Sequence, residues 1–253
     1  ISYNKKKNTH ATLEIKGSQS IFLGKPSSKI LLKNINYTED KNIIEINNLK
    51  IDSNKILDID LIKINYLTKN GFKNQIALVK KNKNYELKGK SFDSTQLIEN
   101  ISNSESDKNF FEIFDNLNSN IKILVDEVKL DEKNTANNLR AYLDVRNSKI
   151  FDLDLNSNFN ENEKLFISIK TQKDNTVLTT FHSDRAKPFV KKYKFIKGFE
   201  GGNIDFSSTK KNHVTKSKLV IDNFKVQEVP ILAKILTLAS LQGIADVLTG
   251  EGV

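Results

Sequence analysis

The sequence predicts a mainly β protein, a long twisted antiparallel meander with one apolar face, and three observations predict it. Apolar residues recur at every second position through most of the chain, short turn-forming clusters separate those runs, and helical spacing is confined to a few stretches. Alternation of period two turns one side of a sheet to a core and the other to water. Short turns allow antiparallel hairpins, whereas parallel pairing needs a crossover of roughly a dozen residues or more.

The strands follow in order. Ala11, Leu13 and Ile15 open the series, followed by Ile30 and Leu32, by Ile44 and Ile46, and by Leu57, Ile59 and Leu61. Later sets are Leu139 to Val145, Phe151 to Leu155, and Leu165 to Ile169, each alternating with polar partners. Turn clusters lie between them, among them Gly24-Lys25-Pro26-Ser27, Lys69-Asn70-Gly71, Lys81-Asn82-Lys83-Asn84 and Lys210-Lys211-Asn212. A weak internal echo pairs Ile56-Leu57-Asp58-Ile59-Asp60-Leu61 with Ile150-Phe151-Asp152-Leu153-Asp154-Leu155, and convergence of simple alternating strands accounts for it nearly as well.

Helical signals are sparse. Asp93 or Ser94 caps a short helix with Leu97, Ile98 and Ile101, and Asp107 caps a second with Phe110, Phe111, Ile113, Phe114 and Leu117. A third starts near Ser183 or Asp184, carries Phe189, Val190 and Tyr193, and places Pro188 in its first turn. At the C-terminus a strand through Leu219 and Ile221 meets Pro230, and a largely apolar helical pattern runs from Ile231 to Leu248, interrupted by Gly243 and stopped by Gly250. Lys234, Gln242 and Asp246 lie within that pattern, so it does not read as a membrane span. The 253 residues suffice for a buried core and read as one continuous sheet, with a possible division into residues 1–100 and 109–253 at the polar stretch 102–107.

Composition narrows the function. The chain has no Cys, which removes disulfides, thiol nucleophiles and thiolate metal sites. A net charge of +9 favours anionic partners, but the Lys residues are scattered among Asn and Ile rather than gathered on a face, and the Phe residues sit in apolar sets. Nucleic acid is therefore not expected as a partner. Asp58 with Asp60, and Asp152 with Asp154, have a spacing that could serve acid–base work or hold a cation, yet an outward strand face is the ordinary place for Asp. His10, His182 and His213 form no metal-ligand pattern. Gly201-Gly202 leads into a strand at 203–206 rather than a helix, unlike a phosphate loop. No catalytic constellation, cofactor or metal site emerges, and the chain does not read as an enzyme. What remains is the apolar face, which must be covered, closed into a barrel, or left as a groove for an apolar ligand.

The C-terminal run Ile221-Asp222-Asn223-Phe224, Val229-Pro230, Leu232-Ala233, Ile235-Leu236, Ser240-Leu241-Gln242-Gly243-Ile244 and Leu248-Thr249-Gly250-Glu251-Gly252 resembles the C-terminal signature of AsmA-like proteins, in particular the YhdP-type branch, kin of TamB. Upstream, Ser183-Asp184-Arg185-Ala186 with Phe189-Val190 resembles the family's Ser-Asp-Ala-Gly segment, although Arg185 intervenes and Lys187 stands where Gly is usual. Gly201-Gly202-Asn203-Ile204-Asp205-Phe206 resembles its Gly-Gly strand, and Leu87-Lys88-Gly89-Lys90-Ser91-Phe92-Asp93 its Gly-x-x-Asp element. The resemblance covers residues 85–253.

It implies that the sheet curls into an open, β-taco-like trough holding phospholipid acyl chains, with a C-terminal helical cap. The implied lining is Leu143, Val145, Leu153, Leu155, Ile167, Ile169, Val177, Phe181, Ile204, Phe206, Leu219 and Ile221; the implied cap is Pro230, Leu232, Leu236, Leu241 and Ile244. It further implies a segment of a periplasmic protein of Gram-negative bacteria, anchored in the inner membrane by a helix outside this sequence. Such a protein would carry phospholipid between inner and outer membranes and support outer-membrane integrity. The alternative is a non-transporting scaffold or assembly factor for outer-membrane proteins, with envelope proteins as partners.

Overall fold

A computed structural model of the chain describes residues 2–3, 9–22, 25–68, 70–97, 111, 113–190, 199–212 and 214–225, and the backbone alone up to residue 29. Among the described residues fifteen strands form one open sheet. In chain order they are β1 (Ser2–Tyr3), β2 (Thr9–Phe22), β3 (Lys25–Glu39), β4 (Asn42–Asp52), β5 (Lys55–Asp58), β6 (Leu61–Leu67), β7 (Lys73–Lys81) and β8 (Asn84–Asp93). There follow β9 (Ser119–Lys129), β10 (Thr135–Arg146), β11 (Lys149–Asn158), β12 (Lys164–Thr171), β13 (Val177–Ser183), β14 (Glu200–Lys211) and β15 (Val214–Lys225). Spatial order follows chain order from β1 to β15, except that β5 pairs only with the far end of β4. Tight turns explain this: Asn82, Asn147, Asn175 and Asn212 adopt φ between 49° and 61° at hairpin tips, a conformation Asn tolerates better than most residues.

The meander departs from the expected pattern at one place. β8 and β9 pair in parallel, with Leu87 opposite Ile123 and Gly89 opposite Val125. The connection, 94–118, is long enough for a parallel crossover; the other long link, 184–199, carries a short helix and still joins an antiparallel pair, and the remaining links are too short for a crossover. Its start is a helical turn at 95–97, with Asp93 Oδ1 accepting from Thr95 N at 3.1 Å as an N-cap. Ile98 and Ile101 lie outside the described residues, as do Asp107 and Phe110. The second expected helix does not form over the residues described: 111 and 113–117 are turns and extended chain, and Phe114 makes a parallel bridge to Ile56. Exchange of Ile56 N–H and C=O with Ile113 O and Asp115 N, at 2.8 and 2.9 Å, satisfies the strand edge that β5 would otherwise leave bare.

The third expected helix starts later than Ser183 or Asp184: Ser183 ends β13, and α1 (Lys187–Val190) follows with Pro188 in its first turn; Tyr193 lies outside the described residues. The Leu57–Leu61 alternation is not a single strand. It breaks at Ile59, which turns into the core at 2% exposure while Leu57 faces water at 38%, so the inward phase passes to Ile62 and Ile64. Ile150–Leu155 runs unbroken through β11, so the internal echo is not a structural repeat. Gly201 and Gly202 lie inside β14 rather than in a turn before it. Their φ values are +68° and +82°, and a Cβ on Gly202 would come within 2.9 Å of Phe224 Cβ.

Candidate functional site: an apolar floor across the sheet

The register lines up one apolar residue per strand across the molecule. The row runs Ile35, Ile46, Ile62, Leu78, Leu87, Ile123, Ala141, Leu155, Ile167, Phe181, Phe206, Leu219, from β3 to β15, and Leu13 of β2 is registered opposite Ile35. Eleven strand-to-strand steps of about 4.8 Å make it roughly 53 Å long. The parallel pair does not break the row, because Leu87 and Ile123 keep the same face. Beside it runs Tyr37, Ile44, Ile64, Ile76, Gly89, Val125, Leu139, and on the other side Tyr85, Ile121, Leu143, Leu153, Ile169.

Over β9–β14 this face is walled on both sides. One buried cluster joins Val125, Val128, Ala136, Phe159, Leu165, Phe181, Ile204 and Phe206 to Ala186 and Val190 at α1 and to Phe199. The Phe181 and Phe189 rings meet edge to face at 4.8 Å, which seats α1 on the sheet. The second cluster joins Ile121, Ala141, Leu143, Val145, Ile150, Leu153 and Ile169 to Ile59, Tyr85 and Phe111. It is closed by the 111–117 crossover, which Ser148 ties down: Ser148 N donates to Leu117 O at 2.9 Å, and Leu117 N to Ser148 Oγ at 2.8 Å. Between the two walls Ile123, Leu139, Leu155 and Ile167 touch both clusters and remain only half-buried.

Over β3–β8 the floor continues beyond the walls: Ile46, Ile62 and Leu78 pack against the edge of the second cluster and Leu87 against the first. Ile35, Tyr37, Ile44, Ile46, Ile62, Ile64, Ile76, Leu78 and Leu87 are all half-buried, and Ile30 is 40% exposed. Ile59 and Tyr85 are the buried apolar residues of this stretch among those described.

All twelve residues read as lining lie on this face, but the structure divides them. Leu143, Val145, Leu153 and Ile169 belong to one buried cluster; Phe181, Ile204 and Phe206 belong to the other. Leu155 and Ile167 form the half-open floor, and Val177, Leu219 and Ile221 are half-buried at the margins. Pro230, Leu232, Leu236, Leu241 and Ile244 lie outside the described residues. The open stretch was not singled out as lining in the sequence, although Ile44 and Ile46 carry the same alternation as the later strands.

Charged groups gather at one margin of the floor. Asp58 accepts from Lys80 Nζ at 2.5 Å and from Lys50 Nζ at 3.4 Å, from the Tyr85 hydroxyl at 3.4 Å and from Ile59 N at 3.0 Å. Burial pushes the Asp58 carboxyl up, but Lys80, Lys50 and the Ile59 N–H outweigh it and hold it below its ordinary value. Burial and the neighbouring Asp58 charge push the Tyr85 hydroxyl up to about 12. Asp152 and Asp154 instead serve local ties, to Thr171 N at 3.0 Å and Lys170 Nζ at 2.6 Å. On the outer face His182 stands between Asp205 (2.7 Å) and Asp184 (3.3 Å). Among the described residues no group of His, Asp and Glu side chains has the arrangement of a metal site, and no helix is long and apolar enough to cross a membrane. Comparison with protein families, curated proteins and solved structures finds no match to this chain.

Proposed function

We propose that the chain is a lipid-holding segment of a periplasmic AsmA-like protein, which seats phospholipid acyl chains on the apolar floor and passes them between inner and outer membranes. The observation that carries this reading is the unbroken apolar row, half-open from Ile35 to Leu87. That open part spans four strand steps, about 19 Å. One leaflet of a bilayer core is about 15 Å deep, half of the roughly 30 Å total, so the open floor is long enough for a single acyl chain lying across the strands. Each CH₂ withdrawn from water contributes about 0.8 kcal/mol without directional demands, so a tail can shift along the row with little change in energy. No catalytic residue is required.

The test is native mass spectrometry of the chain purified from a periplasm, with extraction and identification of bound lipid. Phospholipid that co-purifies and is lost in Ile62→Asp and Leu78→Asp variants supports the reading. A folded chain that carries none, and takes up none from vesicles, rejects it. A second reading, a non-transporting scaffold for outer-membrane proteins, is favoured by the seven dry residues of the two walls, which behave as ordinary core.

A further inference from the structure

The charge cluster at Asp58 lies one inward position beyond the apolar floor: Lys80 follows Leu78 along β7, and its cross-strand partner Tyr85 precedes Leu87 on β8. Its placement is unusual for a surface ion pair. Lys80 and Asp58 side chains are 26% and 20% exposed, on a face that is otherwise apolar, whereas Lys50 reaches in from water at 52% exposure. Four donors, two of them cations, converge on this single carboxylate. The remaining nearby acid, Asp60, is engaged by Asn48 Nδ2 at 2.7 Å.

We propose that this cluster is an anion cradle in which the Asp58 carboxylate is the resident occupant, and that it receives the phosphate head group of an amphiphile whose tails lie on the floor. The proposal rests on the phospholipid reading above and adds the residues that hold the phosphate, Lys80, Lys50 and Tyr85. A phosphodiester carries one negative charge on two terminal oxygens, as a carboxylate does, so it substitutes for Asp58 one for one while Asp58 turns out to solvent. Partial desolvation strengthens the ammonium–oxygen contacts relative to the open surface. Lysine ammonium groups accommodate phosphate as compact point charges without the fixed geometry an arginine would impose. An uncharged amphiphile gains the floor and nothing from the cradle. The competing account makes the pair a structural ion pair that only discourages edge association.

The experiment titrates the full chain, in native mass spectrometry, with dihexanoyl phosphatidylglycerol, dihexanoylglycerol and inorganic phosphate. Charge-assisted hydrogen bonds are strong enough for the anionic lipid to bind about tenfold more tightly than the neutral one. Asp58→Asn vacates the cradle and widens that ratio. Lys50→Gln, at the exposed arm and compatible with folding, narrows it, and Lys50→Gln with Lys80→Gln brings it near one, with dihexanoylglycerol affinity unchanged throughout. A ratio near one in the native chain that Asp58→Asn leaves unmoved overturns the cradle while the floor reading stands. Inorganic phosphate binding as tightly as the lipid overturns the head-group source. Failure of both amphiphiles to bind rejects the floor reading and the cradle with it.

Discussion

The two halves of the sheet share one apolar face and treat it differently. From β9 to β14 it carries two dry clusters, one under α1 and Phe199, the other under the 111–117 crossover; Ile169 and Ile204 are fully buried there. From β3 to β8 the same rows continue, yet Ile44, Ile62, Ile64 and Ile76 stay half-buried. Apolar character does not distinguish the halves, since the face is mostly Ile over β3–β8 and a mixture of Ile, Leu, Val and Phe over β9–β14. What differs is whether a connection folds back over the face. Cover, rather than hydrophobicity, decides where this protein has a core and where its apolar face stays half-buried.

The largest expected effect comes from removing that cover. Phe111→Ala in the crossover should cost about 3–5 kcal/mol in urea unfolding, the usual range for a buried Phe. A cost below 1 kcal/mol would mean that the crossover does not close the wall. Next comes a matched pair of identical truncations. Ile169→Ala, at 0% exposure, should lose about 2–5 kcal/mol, and Ile64→Ala on the open floor about 1 kcal/mol or less. Equal losses would erase the contrast between the halves.

Gly89, on the last strand of the half-open part, tests how tightly that part is packed. A Cβ there would lie 2.5 Å from Ile76 Cγ2 and 2.7 Å from the Gln75 backbone oxygen, and the backbone cannot move aside cheaply. Gly89→Ala should therefore destabilise by about 1–3 kcal/mol, as overpacking does, and a neutral result would show that β7 and β8 adjust freely.

The smallest effect is electrostatic and belongs to the walled half alone. Burial draws the His182 imidazole down, but Asp205 and Asp184 outweigh it and raise it above its ordinary value. Its contribution is then complete below the unfolded value of about 6.5 and is lost as pH rises through the raised folded value. Denaturation midpoints should fall across that window, and His182→Gln should flatten the dependence; an unchanged slope in the variant would assign it elsewhere.

Much of this fold was legible because alternation reports face and Asn-rich clusters report turns. The strands at Leu139–Val145 and Leu165–Ile169 needed no more than that. Two features were not legible. The parallel β8–β9 pair depends on where a long connection returns, and residues 111 and 113–117, with four aromatic or aliphatic side chains at helix-like spacing, form turns around a bridge from Phe114 to Ile56 because β5 offers an unpaired edge. The phase error at Leu57–Leu61 has a local cause: Asp58 accepts from Ile59 N–H, and Ile59 turns inward to join Tyr85 and Phe111, which shifts the following strand by one residue. For the site, period two could identify the apolar face but not its cover, so residues of the walls and of the floor look alike in sequence.

The absence of Cys permits a direct test of the central claim, that the face is half-open at Ile62 and Ile76 and closed in the wall at Leu153 and Ile169. Single substitutions Ile62→Cys, Ile76→Cys, Leu153→Cys and Ile169→Cys would be reacted with a maleimide in the folded chain, with and without phosphatidylglycerol vesicles. The account predicts rapid labelling at 62 and 76, suppressed by lipid, and negligible labelling at 153 and 169 in either condition. Comparable labelling at all four positions, or labelling at 62 and 76 that lipid leaves unchanged, would contradict it.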